Sequence, residues 1–161
     1  MKFSIVLCLF FASVFNFNVY GQVLDHEHEE HKHHLGFLLG SVYNITEEKY
    51  MLGLGFEYEY VLPLLDRLFG IGFASEVVFD EHKHYVVSLL IPIHPTRELT
   101  LFVAPGIMFI DKEEIERRFA IHFGIEYEFD LEKIFLAPEF EIAFAEDDIH
   151  IMLGIHIGFG F

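Results

Sequence analysis

The sequence predicts an all-β protein, an eight-stranded antiparallel up-and-down transmembrane β-barrel that follows a cleaved signal peptide. Three observations predict it: long segments in which large apolar residues alternate with small or polar ones, a single short apolar run before them, and an unusual composition. Of the 161 residues, 53% are hydrophobic, 20 are Phe and none is Trp, yet the formal net charge is −16. A barrel in lipid reconciles these values, because its apolar residues face outward while its charges occupy the lumen and the loops.

The beginning of the chain has the pattern of a secretory signal peptide. Lys2 provides a positive start, an apolar run follows from Ile5 to Phe15, and Val19-Tyr20-Gly21 offers a small-residue cleavage site. The alternative is an uncleaved anchor, but about 11 strongly apolar residues are fewer than the roughly 20 that a spanning helix needs. We expect cleavage after Gly21, which also removes Cys8, the only cysteine. The predicted organisation is a signal peptide at 1–21, a His- and Glu-rich periplasmic tail at 22–34 and a barrel at 35–161.

Eight apolar segments, separated by short charged or proline-containing breaks, are the predicted strands. Their mean length suits the roughly 9–11 residues of a tilted membrane strand with a short extension into water. Pro105 and Pro138 would each remove a ladder donor, so they predict bulges or irregular pairing. The predicted strands lie at about 35–45, 49–62, 67–79, 84–94, 98–110, 115–129, 133–145 and 149–161.

The period of two assigns each residue to a face of the wall. In the last segment every odd position from Ile149 to Phe161 is large and apolar, and every even position from His150 to Gly160 is Gly, His or Met. Other segments repeat this pattern, and the mid-strand Glu and His residues share the inward face with most of the glycines. The predicted polar residues of the lumen are Glu57, Glu59, Glu76, His122, Glu126, Glu128, Glu139, Glu141, His150 and His156.

The period alone does not say which face meets lipid. A soluble, lipocalin-like carrier would turn the apolar face inward and leave the Glu residues in water. Two features favour lipid, namely alternation that continues to Phe161 without a polar tail and aromatic residues near the predicted strand ends, as in an interfacial girdle. These aromatic residues are Tyr43, Tyr58, Tyr60, Tyr85, Tyr127 and Phe129.

The final segment Gly154–Phe161 places a terminal Phe after alternating apolar residues. This pattern resembles the C-terminal signature of bacterial outer-membrane barrels, and the chain after about His34 resembles the small OmpA/OmpX/OmpW-like barrels. The resemblance implies a bacterial outer-membrane location with both mature termini in the periplasm. It also implies contact with outer-membrane lipid and lipopolysaccharide, and reading of Phe159 and Phe161 by the barrel assembly machinery. It transfers no functional residues, because these families are defined by architecture.

The His-rich tail is the clearest local signal for a ligand. Imidazole suits Zn, Cu and Ni, and the neighbouring carboxylates add charge and further donors. The spacing matches no closed tetrahedral site, so we expect loose binding of these metals and no obligatory cofactor; the alternative is a solvated leader without metal. The predicted metal-binding residues are His26, His28, His31, His33 and His34.

The acidic lumen supports two interpretations. Inward carboxylates without basic partners must share protons, bind cations or remain in water. One interpretation is cation or metal transport or handling through the lumen; the other, which we favour, is a packed and hydrated polar core. The acidic composition excludes nucleic acid as a partner, because phosphate binding needs clusters of Lys and Arg.

An outer-membrane lipid-modifying enzyme is the remaining alternative. Such a site needs a nucleophile, a base and an orienting acid within hydrogen-bond reach. The mature chain offers Ser41, Ser75 and Ser88, and Ser88 lies about 13 Å along its strand from His84. The sequence therefore predicts a protein that is not an enzyme, an integral outer-membrane barrel with a structural or envelope role.

Overall fold

The computed structural model describes residues 31–80, 83–111, 115–131, 134–146 and 148–161, and these are almost entirely β-strand. The predicted signal peptide and the tail as far as residue 30 lie outside the described residues. The described part of the chain contains no helix long and apolar enough to cross a membrane. The strands are β1 (His33–Asn44), β2 (Lys49–Val61), β3 (Gly70–Phe79), β4 (His84–Ile93), β5 (Leu99–Asp111), β6 (Ile115–Tyr127), the two-residue β7 (Phe129–Asp130), β8 (Phe135–Ala145) and β9 (Asp148–Gly160).

The eight long strands close into a ring. Strands β1 to β6 pair antiparallel in chain order, β8 pairs with β9, and the ring is completed by the β1–β9 and β6–β8 pairings. Strand β7 continues the line of β6 along β8. Closure leaves none of the long strands with an open edge that could pair with another chain. The predicted eight-stranded antiparallel up-and-down barrel, the architecture of small transmembrane barrels, is confirmed.

Pro138 explains why β6 and β7 are separate strands. The β6–β8 ladder stops at the pair Glu126–Glu139 and resumes at Phe129–Leu136. The residue numbers of each pair sum to the same value on both sides of the gap, so the register does not shift. Pro138 lacks the backbone N–H that would fill the gap, and the result is interrupted pairing without a bulge.

Two further prolines have the same effect on neighbouring ladders. Pairing of β4 with β5 is missing opposite Pro105 and continues in unchanged register beyond it. Pairing of β3 with β4 stops before Pro92, a strand proline that the sequence analysis did not single out, and returns as an isolated bridge. The irregular pairing predicted at Pro105 and Pro138 is thus observed, with the register conserved throughout.

The apolar face of the wall is the outer face. Phe37 is 59% exposed and Leu153 is 60% exposed, whereas the inward residues Leu38 and His156 are 4% and 5% exposed. The lipocalin-like carrier is therefore ruled out, because that alternative required the apolar face to line an internal cavity.

Apolar side chains also fill much of the lumen. The Phe102 ring lies against Gly124, where a Cβ would overlap it, and Met108 and Met152 are nearly inaccessible to solvent. Three lumen cavities have volumes of about 20, 20 and 10 Å³. Each has room for about one water molecule, so this barrel has a packed interior.

Candidate functional site

The predicted lumen residues are polar side chains inside the barrel, and we call this set the lumen column. Among them Glu59, Glu126, Glu139, Glu141, His122, His150 and His156 are buried, and Glu57, Glu76 and Glu128 are half-buried. The structure adds Asn44, His94 and Thr100 to this predicted set. It also brings His34, which was assigned to the tail, and His84, which was considered only as a base, into the lumen. Alternation along β4 predicts that His84 and His94 face the lumen, because each lies an even number of residues from the inward residue Ser88.

Strand β6 orders the column along the barrel. Near its start, at the end of the barrel formed by the 45–48 turn, Arg118 binds Glu116 at 2.7 Å and Asp148 at 3.2 Å, and it lies 3.9 Å from Glu146. Next along β6 come His122 and Glu126, and Glu128 follows one residue after the strand ends. The ion pairs of Arg118 thus occupy the rim, and the residues deeper in the column are Glu and His.

Two histidines stack below this rim. The rings of His84 and His150 are parallel within 4°, with centroids 6.0 Å apart. The Nε2 atom of His84 lies 3.3 Å from Asp80 Oδ2, and the Nδ2 group of Asn44 donates to His150 Nε2 at 3.1 Å. Asn44 is 1% exposed. Together with the two stacked histidines, it closes the column toward the rim.

Glu76, His122 and Glu141 form the upper triad in the middle of the column. A hydrogen bond of 2.9 Å joins His122 Nδ1 to Glu141 Oε1, and Glu76 Oε2 lies 4.0 Å from the same nitrogen. One donor atom from each residue lies within 4.8 Å of the other two. Two carboxylates and an imidazole at this separation are suitable ligands for a divalent metal ion.

Glu126, Glu139 and His156 form the lower triad, which has the same composition and spacing. A hydrogen bond of 3.0 Å joins His156 Nδ1 to Glu126 Oε2, and Glu57 Oε2 lies 4.0 Å from that nitrogen. Glu139 is 3% exposed, and neither of its carboxylate oxygens has a hydrogen-bond partner. A buried carboxylate without a partner carries a large desolvation cost if it is charged.

The column ends at the turn after β4. His94 Nε2 lies 2.7 Å from Glu59 Oε1, and its Nδ1 atom lies 3.0 Å from Thr100 Oγ1. Burial alone would lower the pKa of His94, but the hydrogen bond to Glu59 and the charges of Glu59, Glu126 and Glu128 outweigh it and raise the pKa. The folded barrel therefore favours the charged form of His94.

The five predicted tail histidines do not stay together. His26 and His28 lie outside the described residues, and His31 precedes β1. His33 and His34 are adjacent in β1 and point to opposite faces. His33 contacts Tyr58 and Phe161, whereas His34 lines a lumen cavity. Because the wall separates them, His33 and His34 cannot bind the same ion.

The residues considered for catalysis are also separated. His84 and Ser88 are both buried on the inward face of β4. His84 is oriented by Asp80, as a catalytic base would be, but Ser88 lies two inward positions further along, about 13 Å away. The described residues therefore do not assemble a hydroxyl nucleophile with this histidine and aspartate.

The comparisons with known proteins bear on the fold. No family model matches the chain, and no curated protein matches it. A de novo designed transmembrane β-barrel matches with a TM-score of 0.56 at 12% identity, covering 81% of this chain and 98% of that chain. Neisserial surface protein A matches with a TM-score of 0.54 at 7% identity, covering 80% and 96%.

Ail, the attachment invasion locus protein of Yersinia pestis, matches with a TM-score of 0.53 at 14% identity, again covering 80% and 96%. At these identities the similarity shows the fold alone. The chain has the fold of the small outer-membrane β-barrels, which confirms at the level of architecture the resemblance based on the Gly154–Phe161 pattern.

Proposed function

We propose that this chain is a non-enzymatic integral protein of the bacterial outer membrane, with a structural or envelope role. The observation that carries the proposal is the orientation of the wall, with a belt of exposed apolar side chains outside and a polar column inside. In water that belt would be one continuous exposed apolar surface, far larger than soluble monomers tolerate. In lipid it is the expected outer surface of a barrel.

Aromatic side chains at both ends of the barrel support the membrane assignment. Near the 45–48 turn, the rings of Tyr43 and Tyr50 have centroids 4.7 Å apart. At the other end, Tyr127 and Phe129 have ring centroids 5.2 Å apart, and Phe161 lies beside Phe159. Two such belts, one at each interface, are characteristic of barrels that span a bilayer.

The packed lumen supports a structural role over a conducting one. Cavities of about 20 Å³ hold about one water molecule, which is less than a hydrated cation needs. The separation of Ser88 from the His84–Asp80 pair supports a non-enzymatic protein.

Four parts of this proposal concern partners and placement. Both mature termini lie on the same side of the membrane, because an even number of strands returns the chain to the side where it started, and we assign that side to the periplasm. The outer belt contacts lipid and lipopolysaccharide, and the barrel assembly machinery reads Phe159 and Phe161. The His-rich tail before β1, of which the structure describes His31 and Lys32, binds Zn, Cu or Ni loosely from the periplasmic side, while His33 and His34 belong to the barrel wall.

Cell fractionation followed by electrophoresis tests the proposal. We expect recovery in the outer-membrane fraction and a band whose mobility changes when the sample is heated, because a closed barrel resists detergent until its strand pairing is melted. A soluble protein with one mobility in heated and unheated samples would contradict it. Residues 22–161 fused to a periplasmic signal of known efficiency are the control for export.

A further inference from the structure

We propose that the lower triad, Glu126, Glu139 and His156, binds one divalent metal ion of the zinc class inside the barrel. The site differs from the tail in location, donor set and burial, and the proposed envelope role does not require it. One donor atom from each of the three residues lies within 4.8 Å of the others.

The Glu139 carboxylate supplies the independent argument for a ligand. Its side chain is 3% exposed, and both oxygens lack a hydrogen-bond partner. A second carboxylate, Glu126, is its direct cross-strand neighbour in the β6–β8 ladder. Two buried carboxylates side by side repel each other, so a positive charge between them would be strongly stabilising.

Among the described residues, no Lys or Arg lines the cavity beside the lower triad, and the charged form of His94 is held by Glu59. In the described part of the column, Arg118 is engaged at the rim by Glu116 and Asp148. Below it, the neighbours of the lower triad are again Glu and His, with Glu57 Oε2 4.0 Å from His156 Nδ1. A divalent ion bound to two carboxylates and a neutral imidazole gives a locally neutral group.

The donor set selects the class of metal. One imidazole nitrogen with carboxylate oxygens suits Zn²⁺ and its first-row neighbours, whereas Mg²⁺ prefers an all-oxygen octahedron and retains its water. The metal would replace the proton between His156 Nδ1 and Glu126 Oε2, which lie 3.0 Å apart. Tetrahedral bonds of about 2.0–2.2 Å need donor atoms about 3.4 Å apart, so the three donor atoms, which lie within 4.8 Å of one another, have to adjust their positions on binding.

The fold holds the histidine in place for this role. The His156 ring makes an edge contact with Phe135, with centroids 5.2 Å apart and an interplanar angle of 88°. On its other side it lies over Gly36, where a Cβ would overlap the ring. A ligand fixed by packing loses little entropy on binding, which favours affinity. Glu57, whose Oε2 lies 4.0 Å from His156 Nδ1, would have to move closer to serve as a fourth donor.

The upper triad is the natural comparison. It has the same composition, but its carboxylate Glu141 already accepts a hydrogen bond from His122. The unpartnered carboxylate occurs in the lower triad, which is why the proposal assigns the ion there. Glu141→Gln and Glu139→Gln are therefore matched substitutions, each removing one buried carboxylate from one triad while keeping its shape.

Binding of Co²⁺ to the full chain, refolded in detergent and stripped with chelator, tests the site. Co²⁺ replaces Zn²⁺ and gives visible absorption bands whose intensity reports four-coordination. We expect one buried equivalent that Zn²⁺ displaces, and a loss of affinity for that equivalent of at least 100-fold in Glu139→Gln. Glu141→Gln and Glu59→Gln, a lumen glutamate outside both triads, retain it.

Two further measurements make the result decisive. Replacing His26, His28 and His31 by Asn removes tail ligands and should leave the buried equivalent in place. Zn²⁺ should raise the melting temperature of the wild type and not that of Glu139→Gln, because only a ligand of the folded state stabilises it. Heat-modifiable mobility of each variant verifies that it folds.

The proposal is overturned by any of three outcomes. Folded wild type without a Co²⁺ spectrum would mean that protons alone neutralise the triad. A Co²⁺ spectrum that is unchanged in Glu139→Gln would place the ion elsewhere. The same conclusion would follow if the spectrum were lost only in Glu141→Gln. A spectrum abolished by the three tail substitutions would assign all metal binding to the tail. Outer-membrane fractionation is independent of every one of these results.

Discussion

His94 shows how a single residue is controlled by the groups that face it. Its ring lies just beyond β4 and is held between Glu59 of β2 and Thr100 of β5, with Glu126 and Glu128 also nearby. These carboxylates raise the pKa of His94 although burial opposes them. The charge of this one residue therefore ties two strands and a turn together.

The raised pKa predicts a pH-dependent contribution to stability. Because the pKa of His94 is higher in the folded state than its ordinary 6.5, its contribution is complete below about 6.5 and is lost as the pH rises through the folded value. We expect His94→Gln to cost on the order of 1–2 kcal/mol at pH 5.5 and less at pH 9. Chemical unfolding of both proteins at both pH values measures this.

Taking the difference between wild type and His94→Gln cancels the titration of lumen groups that behave alike in both proteins. Thr100→Val is the matched control, because it removes the neutral hydrogen bond on the other side of the ring. Its cost should vary less with pH than that of His94→Gln. An equal cost of His94→Gln at pH 5.5 and 9 would show that the ion pair contributes nothing.

At the scale of strands, the barrel tolerates prolines by interrupting a ladder without shifting it. Pro92, Pro105 and Pro138 each remove one donor on one side of a strand, and pairing continues in register beyond each gap. Register survives because the other edge of each strand remains paired. A one-residue slip would also move every side chain to the opposite face of the wall, exchanging apolar for polar residues across the barrel.

Replacing Pro138 by Ile should close the gap between β6 and β7. We expect the backbone amide at 138 to become protected and exchange at Tyr127 to slow, whereas the Glu128 amide already donates to the Glu98 carbonyl oxygen and should change little. The free energy of unfolding should change by less than about 1 kcal/mol, because one added hydrogen bond is offset by the greater freedom of the unfolded chain. Amide hydrogen exchange measures the protection.

Ile is a suitable replacement because position 138 is half-buried in the wall. The substitution Leu136→Ile provides the control, because it introduces a β-branched residue on the same strand without a new donor. Protection that stays unchanged in Pro138→Ile would mean that the gap has a cause other than the missing N–H.

The outer wall of the whole barrel faces lipid, so depth in the bilayer should decide how much a charged substitution on that wall costs. Leu153 lies near the middle of β9, and Tyr50 lies near the start of β2; both are exposed. We expect Leu153→Arg to cost about 2–4 kcal/mol and Tyr50→Arg about 0–1 kcal/mol. Urea unfolding from phospholipid vesicles gives both values.

The pair serves as its own control, because both substitutions place the same charge on the same outer face. A small and equal cost for the two variants is the behaviour of surface residues in water, and it would contradict a lipid-facing wall. Inside the barrel, by contrast, the side chains are closely packed and leave little room for a larger residue.

The sequence was sufficient to predict the barrel because a strand has a local period of two. Alternation from Ile149 to Phe161 places His150 and His156 on one face whatever the rest of the chain does. The same reasoning placed all ten predicted lumen residues inward and anticipated irregular pairing at Pro105 and Pro138. His94 was missed although it is the last residue of the predicted strand 84–94 and shares the parity of the inward residue Ser88.

Only the tertiary structure decided which inward residues meet. Glu126, Glu139 and His156 come from three strands, and their contact depends on the register with which β6 closes on β8 and β8 pairs with β9. Likewise, His33 and His34 look alike in the sequence, yet the wall sends one to the outer surface and the other to the lumen. The faces followed from the sequence because alternation is local, and the contacts required the structure because register and closure join residues far apart in the chain.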